Sequence, residues 1–291
     1  MEAAVARNQI QWFIRTVHDS PFSALLLDYD GTLAPFSLNR QEALPYPGIQ
    51  SLLQQIRDTK RTRLVIITGR NASEIGPLLR IRPTPEVWGL HGMQRLRTNG
   101  KSEMPLLDSK TMHALASAER WLAYQGLEHL AERKPGSLAV HWRGLDETAA
   151  AMLRYRILLG WCALARSFSL AVLEFDGGIE LRTDTYDKGS AVRTILGEVG
   201  PDAPVAYLGD DATDEPAFRA LNGRGLTALV REQRRQTSAR VWLRPPAELR
   251  QFLMQWRDAC RKPSSAGNGG LAQTITRTAS IYQEQEEEAS N

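Results

Sequence analysis

The chain of 291 residues lacks several features that would restrict its class. Its only two cysteines, Cys162 and Cys260, lie far apart without metal-ligand spacing, so we expect reduced thiols in a cytoplasmic protein. No run approaches the roughly 20 apolar residues of a membrane span, and no long apolar core near the N-terminus suggests a signal peptide. The formal charge of +3 is too small to imply a nucleic-acid or membrane partner.

What the sequence does have is a set of short apolar runs that end in glycine and polar residues. Such runs are typical of strands buried on both faces of a parallel sheet, with functional loops at their carboxyl ends. They are "ALLLDYDG" at 24–31, "RLVIITGR" at 63–70, "EVWGLHG" at 86–92 and "PVAYLGDD" at 204–211. Residues 49–56, after the first run, have apolar side chains at helical spacing. This order predicts an α/β fold with a Rossmann-like parallel sheet core.

The middle of the chain has a different pattern, which begins with the hairpin turn signal Asn99-Gly100. A helix, a short strand, a second helix and another hairpin follow, and this mixture predicts an inserted α+β cap domain. The expected division is a first core segment at 1–94, the cap at 95–183, a second core segment at 184–262 and a tail at 263–291. We expect the tail to be disordered, because its polar and acidic composition cannot build a core.

Two carboxylates, Asp28 and Asp30, follow the first apolar run, and strand alternation places them on the same side. Like charges there are costly unless a cation lies between them, and Mg²⁺ prefers carboxylate oxygens beside substrate phosphates. Asp28 is a candidate nucleophile that would form an aspartyl-phosphate, and Asp30 a candidate general acid and base. Gly31 would let backbone N–H groups turn toward the phosphoryl oxygens. The alternative is a plain Asp-Gly turn after a buried strand.

Two further segments offer groups that bind phosphate. Thr68 and Gly69 end the second apolar run and present a hydroxyl and backbone N–H groups, with Arg70 near the mouth of the site. Lys188 lies just before the apolar positions of a helix, where it would hold phosphate charge and screen Asp28. Taken alone, these runs are most often a strand-to-helix turn and an exposed helix start.

The strongest local signal is the acidic cluster in "GDDATDE". Asp210, Asp211, Asp214 and Glu215 lie within six residues at a strand end, and a divalent cation would compensate their charge. The alternative is helix N-capping, because acidic residues and Pro216 favour a helix start. The two interpretations are compatible if Asp210 faces the metal and Asp214 faces the start of the helix.

In this order, DYDGT, ITGR, DKG and GDDATDE resemble the four motifs of the haloacid dehalogenase superfamily of phosphatases, with an α+β cap inserted between the second and third. More narrowly, the chain over about 20–260 is similar to the trehalose-6-phosphate phosphatases, through "GLHG", "ERKPGSLAVHWR", "IELR" and "GDDATDEPAF". The resemblance implies Mg²⁺-dependent hydrolysis of trehalose 6-phosphate through an aspartyl-phosphate.

The resemblance also implies roles for individual residues. The catalytic pair would be Asp28 and Asp30, and phosphate would contact Thr68, Gly69 and Lys188. The metal would be held by the side chains of Asp28 and Asp210 and the backbone carbonyl of Asp30. The substrate would contact Arg70 and, in the cap, the charged residues Glu132, Lys134, Arg143 and Glu180. Without the resemblance, these cap residues are typical of a solvated surface.

Several alternatives stay open at this point. Another sugar phosphate, such as sucrose phosphate or a glycosyl phosphoglycerate, would suit the same motifs. A non-catalytic sugar-phosphate-binding domain is a second alternative, although intact acidic motifs disfavour it. In each case the expected partner is a small sugar phosphate, and we expect the protein to be a monomer.

Overall fold

A computed structural model describes residues 2–37, 39–168, 170–175 and 177–261. The N-terminal third of the chain forms α1 (Glu2–Asp19), β1 (Ser23–Leu27), α2 (Ile49–Asp58), β2 (Thr62–Ile67), α3 (Ala72–Leu79), β3 (Glu86–Gly89), β4 (Gln94–Leu96) and β5 (Ser102–Glu103). The middle forms α4 (Ser109–Tyr124), β6 (Ala131–Lys134), β7 (Ser137–His141), α5 (Glu147–Phe168), β8 (Leu170–Phe175) and β9 (Gly178–Thr183). The segment after the cap forms α6 (Lys188–Val199), β10 (Val205–Gly209), α7 (Glu215–Leu221), β11 (Leu226–Val230), β12 (Val241–Leu243) and α8 (Ala247–Arg261).

The core is an eight-stranded sheet in the order β12-β11-β10-β1-β2-β3-β4-β5. Its first six strands in this order run parallel, and every residue of β1, β2, β10 and β11 is buried. Burial on both faces explains why these strands are continuous apolar runs rather than alternating ones. The predicted α/β fold with a parallel sheet core is confirmed.

Helices cover both faces of this sheet. On one face α1, α2, α3 and α8 pack over a cluster that includes Leu25, Ile66 and Trp256, and on the other α6 and α7 pack over Leu26 and Val65. In α2 the predicted apolar positions are the buried ones, namely Ile49, Leu52, Leu53 and Ile56. Each such side chain stabilises the fold by about 1.5–3 kcal/mol when fully buried. The two layers hold the strand ends in fixed register.

A second sheet of four antiparallel strands, in the order β6-β7-β9-β8, forms the cap. Helices α4 and α5 pack on one face of it, over a cluster that includes Leu138, Trp161, Ile179 and Leu181. Strand alternation places Glu180, between Ile179 and Leu181, on the opposite face. That face is polar and turns toward the core, so the cap contributes charged groups to the site.

The hairpin of β4 and β5 belongs to the core sheet, although the expected cap at 95–183 includes most of it. β4 pairs with β3 and with β5 in antiparallel fashion, so the hairpin extends the edge of the large sheet. The turn at Asn99-Gly100 lies between the two strands as predicted, and Gly100 has a φ of 80°. Helix α4 at Ser109 is the first element that packs against the second sheet.

The remaining sequence predictions have mixed outcomes. The strands β6, β11 and β12 were not predicted from the sequence. The expected disordered tail at 263–291 lies outside the described residues, and the wider division into core and cap segments stays a prediction. Among the described helices, none combines the length and the apolar character that crossing a membrane requires.

Candidate active site

The loop after β1 places Asp28 at the carboxyl edge of the core sheet. Asp28 N donates to Leu208 O at 2.9 Å, so the residue continues the parallel ladder past the end of β1. Its carboxylate is buried, and Oδ2 accepts a hydrogen bond from Thr32 Oγ1 at 3.1 Å. The chain then turns at Gly31, whose φ of 85° lies in the left-handed region that favours glycine. Ladder and turn together fix the predicted nucleophile in one position.

Lys188, the first residue of α6, reaches this carboxylate from the face of the sheet that α6 and α7 cover. Asp187 caps the helix by accepting from Ser190 N at 2.7 Å, which fixes where α6 begins. Lys188 Nζ donates to Asp28 Oδ1 at 2.6 Å and to Asp214 Oδ1 at 2.7 Å. Burial opposes its charge, but the carboxylates of Asp214 and Asp28 outweigh burial and raise the pKa of Lys188. The lysine is therefore held charged against Asp28.

Asp214 organises the acidic loop after β10 from inside. Its Oδ2 accepts hydrogen bonds from Asp210 N at 3.1 Å and Asp211 N at 3.0 Å, and its Oδ1 from Tyr207 OH at 2.5 Å. It is fully buried, and α7 starts at the next residue. Asp214 precedes α7, but its carboxylate makes no capping hydrogen bond to that helix and turns back onto the acidic loop, so the expected capping of α7 by Asp214 is wrong.

The donor set at this edge fits a divalent cation. The carboxylates of Asp28, Asp210 and Asp214 have oxygens within 4.8 Å of one another, and Asp210 Oδ2 is buried without a hydrogen-bond partner among the described residues. Burial raises the pKa of Asp28 to about 7, with Lys188 opposing and Asp214 adding to the rise. Burial and the neighbouring carboxylates also raise the pKa of Asp210. One lysine does not balance three buried carboxylates, and Mg²⁺ would supply the missing charge.

Asp30 points away from this cluster and toward Arg70. Arg70 Nε and Nη2 donate to the two carboxylate oxygens of Asp30, both at 2.6 Å. Arg70 was expected to contact substrate, but its buried guanidinium also donates from Nη1 to Arg40 O at 2.7 Å. Arg70 N donates a hydrogen bond to Thr68 Oγ1 at 3.1 Å, which stabilises the turn after β2. The arginine lines the site mainly as the partner of Asp30.

His91, in the loop after β3, packs between the second motif and the cap. A Cβ on Gly69 would lie 2.5 Å from His91 Cε1, so the missing side chain makes room for the imidazole. His91 Nε2 lies 3.2 Å from Glu180 Oε2, and Ser137 Oγ donates to Glu180 Oε1 at 2.7 Å. Burial lowers the pKa of His91 to about 4 against the opposing effect of Glu180. A neutral imidazole therefore faces the carboxylate of Glu180. Burial raises the pKa of Glu180, whereas a hydrogen bond from His91 and the charge of Lys134 lower it.

Glu132 forms a second polar junction between the cap and the core. Its Oε2 accepts from His141 Nε2 at 2.8 Å, lies 3.6 Å from Lys134 Nζ and contacts the guanidinium of Arg40. Although burial opposes the shift, His141, Lys134 and Arg40 lower the pKa of Glu132 to about 2. The carboxylate is therefore charged over the working range of most enzymes.

The residues proposed from the sequence meet around one cavity between the carboxyl edge of the core sheet and the polar face of the cap. Those that line it are Asp28, Asp30, Thr68, Gly69, Arg70, Lys134, Arg143, Glu180, Lys188 and Asp210. Glu132 lies beside the cavity, behind Arg40 and His141. The structure brings the core and cap residues to one place, whereas their roles as catalytic and substrate contacts stay predictions.

Sequence reasoning missed several lining residues, namely Phe36, Arg40, His141, Phe175 and Thr213. His91, within the "GLHG" that carries part of the resemblance, also lines the cavity. His141 lies within the "HWR" of a recognised motif, which offered a signal, whereas Phe36 and Arg40 lie in a loop without any motif. The guanidinium of Arg143 stacks 4.7 Å from the Phe36 ring centroid, which joins that loop to the cap.

Comparison with solved structures identifies the fold. Haloacid dehalogenase-like hydrolases share it, at 14% and 13% identity and TM-scores of 0.58 and 0.56. The C-terminal domain of Candida albicans trehalose-6-phosphate phosphatase superposes with a TM-score of 0.71 at 20% identity, over 86% of this chain and 96% of that domain. The molecule therefore has the haloacid dehalogenase-like fold with a cap.

Sequence comparison narrows the assignment to a family. The trehalose-phosphatase family model matches residues 26–243. A trehalose-6-phosphate phosphatase-related protein of Thermoplasma acidophilum is 30% identical over 236 residues, or 79% of this chain and 94% of that protein. Trehalose-phosphate phosphatase B of Arabidopsis thaliana is 26% identical over 263 residues, and the match spans 80% of this chain but 66% of the relative. The chain belongs to the trehalose-phosphatase family, a family of phosphatases.

Proposed function

We propose that the protein hydrolyses trehalose 6-phosphate to trehalose and phosphate in a Mg²⁺-dependent reaction through an aspartyl-phosphate. The observation that carries the proposal is the position of Asp28, a buried carboxylate held by Lys188 on the floor of a cavity roofed by charged cap residues. A phosphoryl group at this floor would leave its sugar facing Lys134, Arg143 and Glu180. Membership of the trehalose-phosphatase family supports the choice of sugar.

The chemistry assigned to the chain has two steps. In the first, an Asp28 oxygen forms a bond to phosphorus while the bond from phosphorus to the sugar O6 breaks, and Asp30 gives its proton to O6. In the second, Asp30 takes a proton from water as the water oxygen attacks phosphorus, which releases phosphate and restores Asp28. Splitting the hydrolysis in this way replaces one difficult step with two easier ones.

The neighbouring groups bind and orient the phosphoryl group. Lys188 holds positive charge beside Asp28, and Thr68 and Gly69 offer a hydroxyl and a backbone N–H at the end of β2. The side chains of Asp28 and Asp210 and the Asp30 carbonyl would hold Mg²⁺, with Asp214 as a supporting carboxylate. When bound, Mg²⁺ neutralises charge on the phosphoryl oxygens and keeps Asp28 ionised.

The cap supports a polar, hydroxyl-rich substrate. Glu132 and Glu180 are both carboxylates with lowered pKa values, and each already contacts a histidine and lies near Lys134. Charged groups that accept or donate hydrogen bonds discriminate strongly for a ligand that satisfies them, because a poor ligand leaves them unpaired in a closed site. This arrangement suits a disaccharide better than a small phosphate ester.

Other sugar phosphates and a non-catalytic binding role are the competing functions. Sucrose phosphate or a glycosyl phosphoglycerate would need different contacts in the cap, while the phosphoryl site would be the same. A purely binding domain would have no need for the Asp28–Lys188 pair beside an unpartnered Asp210 oxygen. A monomeric state and a cytoplasmic location complete the proposal, and both rest on the sequence alone.

The test is phosphate release from a panel of trehalose 6-phosphate, sucrose 6-phosphate, glucosyl 3-phosphoglycerate and glucose 6-phosphate, each with Mg²⁺ and with EDTA. We expect the highest kcat/KM for trehalose 6-phosphate, no release in EDTA and recovery when Mg²⁺ is restored. Preference for another sugar would shift the assignment to that ester. Binding without release from any ester, with Mg²⁺ present, would support the non-catalytic role.

A further inference from the structure

Arg70 and Arg40 connect the cap to the predicted proton-transfer group through a continuous set of polar contacts. At one end, Arg70 holds both oxygens of Asp30 at 2.6 Å. At the other end, the Arg40 side chain contacts Glu132 of β6 in the cap. Between them, Arg70 Nη1 donates to the backbone carbonyl of Arg40 at 2.7 Å. The path therefore runs from a cap carboxylate beside the cavity to the carboxyl group that must meet the leaving oxygen.

The position of Arg70 is fixed on all sides. Its side chain is 2% exposed, its guanidinium carbon lies 5.7 Å from the centre of the Tyr29 ring, and Glu74 Oε2 lies 3.6 Å from Nη1. The Tyr29 ring is itself fully buried and donates from its hydroxyl to Ala43 O at 2.8 Å. A planar guanidinium with this support can grip a carboxylate in one orientation only.

Asp30 has no comparable support apart from Arg70 in the contacts of the described residues. Its side chain is 29% exposed, whereas Asp28 is buried and paired with Lys188. A general acid must lie within hydrogen-bond reach of the leaving oxygen, and a misplacement of about 1 Å costs on the order of 100-fold in rate. The orientation of the Asp30 carboxyl group therefore depends on Arg70, and through Arg70 on the segment that carries Arg40.

Arg40 is the point at which the cap enters this path. It lies in a short 3₁₀ helix at Arg40–Glu42 that is capped by the Asn39 side chain, in the long segment between β1 and α2. Its contact with Glu132 joins two half-exposed side chains, 30% and 31%, so it makes and breaks easily when the cap moves or a ligand competes for Glu132. The backbone carbonyl of the same residue is fixed to buried Arg70.

We propose that Arg70 is a positioning residue for Asp30 and that Arg40 couples this position to the closed cap through Glu132. This inference rests on the proposed function, because it assigns Asp30 as the proton donor to the sugar oxygen. When the sugar of the substrate binds the cap and holds it closed, it also orders the segment at Arg40. The Arg70–Asp30 pair is then ordered with that segment. An ester that lacks the sugar gains none of this ordering.

The first test replaces Arg70 by lysine, which keeps the charge but cannot grip a carboxylate with two nitrogens and a carbonyl with a third. For trehalose 6-phosphate we expect kcat to fall by about 100-fold, with KM changed less than about 3-fold. For p-nitrophenyl phosphate we expect the pre-steady-state burst of p-nitrophenolate to change little, because p-nitrophenolate leaves without a proton and only the later attack of water needs Asp30. The matched control is Arg97→Lys, which breaks a similar pair with Glu103 at 2.9 and 3.1 Å in the β4–β5 hairpin.

The second test replaces Arg40 by alanine, which keeps the carbonyl that Arg70 uses and removes the contact with Glu132 together with part of the cavity wall. We expect kcat for trehalose 6-phosphate to fall by about 3- to 10-fold in the otherwise native protein. In the Arg70→Lys background the same change should lower kcat no further, because the path is already broken. The control is Arg133→Ala, which removes an exposed ion pair with Glu119 from the same strand.

The outcomes separate the inference from the function beneath it. If the native protein releases no phosphate from trehalose 6-phosphate but acts on another ester, the proposed substrate fails and the variants are measured on that ester. Equal losses in the first, phosphorylating step on sugar and aryl esters for Arg70→Lys, or a rise in KM with kcat unchanged, would overturn the positioning role. Full additivity of Arg40→Ala and Arg70→Lys would overturn the coupling.

Discussion

At the scale of single residues, Asp28 carries the most direct prediction. Asp28→Asn should abolish phosphate release, because an amide neither attacks phosphorus nor carries the phosphoryl group. The fold should survive, since an asparagine oxygen can still accept from Thr32 Oγ1 and Lys188 retains Asp214. Phosphate release and a thermal melt of the same purified variant check both halves. Turnover at the native rate would rule out the aspartyl-phosphate.

Gly31 allows a sharper test of the metal ligand. A Cβ at Gly31 would lie 2.2 Å from Asp210 Oδ2, and the residue has a φ of 85°. Gly31→Ala should therefore displace Asp210 and lower kcat by about 100-fold, since a shift of about 1 Å costs this much. Gly100→Ala is the matched control, because Gly100 has a φ of 80° and nothing within 4 Å of its added Cβ. Both variants should lose about 1–2 kcal/mol of stability to left-handed backbone strain. Equal kcat values for the two variants would contradict the special role of Gly31.

His91 should make the free energy of unfolding depend on pH. Its pKa is about 4 in the folded protein, below the ordinary 6.5, because burial disfavours the charged ring. The unfolded chain therefore binds a proton first as the pH falls, and the free energy of unfolding drops between pH 6.5 and pH 4, by about 1.4 kcal/mol per unit of pKa difference. His91→Gln should flatten this part of the curve, as urea titrations at several pH values would reveal. Parallel curves for the two proteins would contradict the prediction.

Residue types and local order were enough to predict which core residues meet at one edge of the sheet. Asp28, Thr68, Lys188 and Asp210 each follow a recognisable run, and the carboxyl ends of neighbouring parallel strands meet by rule. The role of Arg70 could not be read in this way. It depends on the Tyr29 ring and the Arg40 carbonyl, which come from a loop whose course no pattern specifies.

At the scale of elements, the cap sheet explains why some charged residues face the site. β9 alternates Ile179 and Leu181 into the cap core with Glu180 toward the cavity. Residues 179–181 alternate apolar and charged side chains in the sequence itself. The pairing of the β4–β5 hairpin with β3 has no such local pattern, because it depends on a distant strand. Periodicity predicts faces within an element, whereas membership of a sheet depends on distant strands.

The alternation in β9 gives a prediction for the sugar contact. Glu180→Gln should lower kcat/KM for trehalose 6-phosphate by about 10- to 100-fold, the loss of hydrogen bonding to a charged group, and barely affect p-nitrophenyl phosphate. Glutamine is preferable to alanine, because Glu180 is buried against Ser137 and His91. Glu174→Gln is the control, since Glu174 lies on the neighbouring strand of the same hairpin and pairs with exposed Arg154. Equal losses on both esters would mean that Glu180 supports the fold instead.

At the scale of the whole molecule, the site lies where two independently packed bodies meet. β1 lies between β2 and β10, and later strands extend the sheet from it in both directions. This change of direction is a topological switch point, which opens a crevice at the strand ends. The polar face of the cap sheet closes that crevice from above. Under the proposed function, the core would bind the phosphoryl group and the cap would bind the sugar, so the two halves of specificity would be physically separate.

Because the carboxylates of the core site come from β1 and from the loop after β10, metal binding should stabilise the fold as a whole. Mg²⁺ that binds only the folded state adds about 2.7 kcal/mol at a hundredfold excess over its Kd, or a rise in Tm of roughly 5–10 °C for a chain of this size. Asp210→Asn should be as stable as the native protein without metal, since its carboxylate is buried with a raised pKa, yet should lose the response to Mg²⁺. Asp202→Asn, an exposed change in the loop before β10, should retain the full response. Thermal melts across a Mg²⁺ titration test this prediction. An equal rise in Tm for Asp210→Asn and the native protein would mean that Mg²⁺ binds at another site.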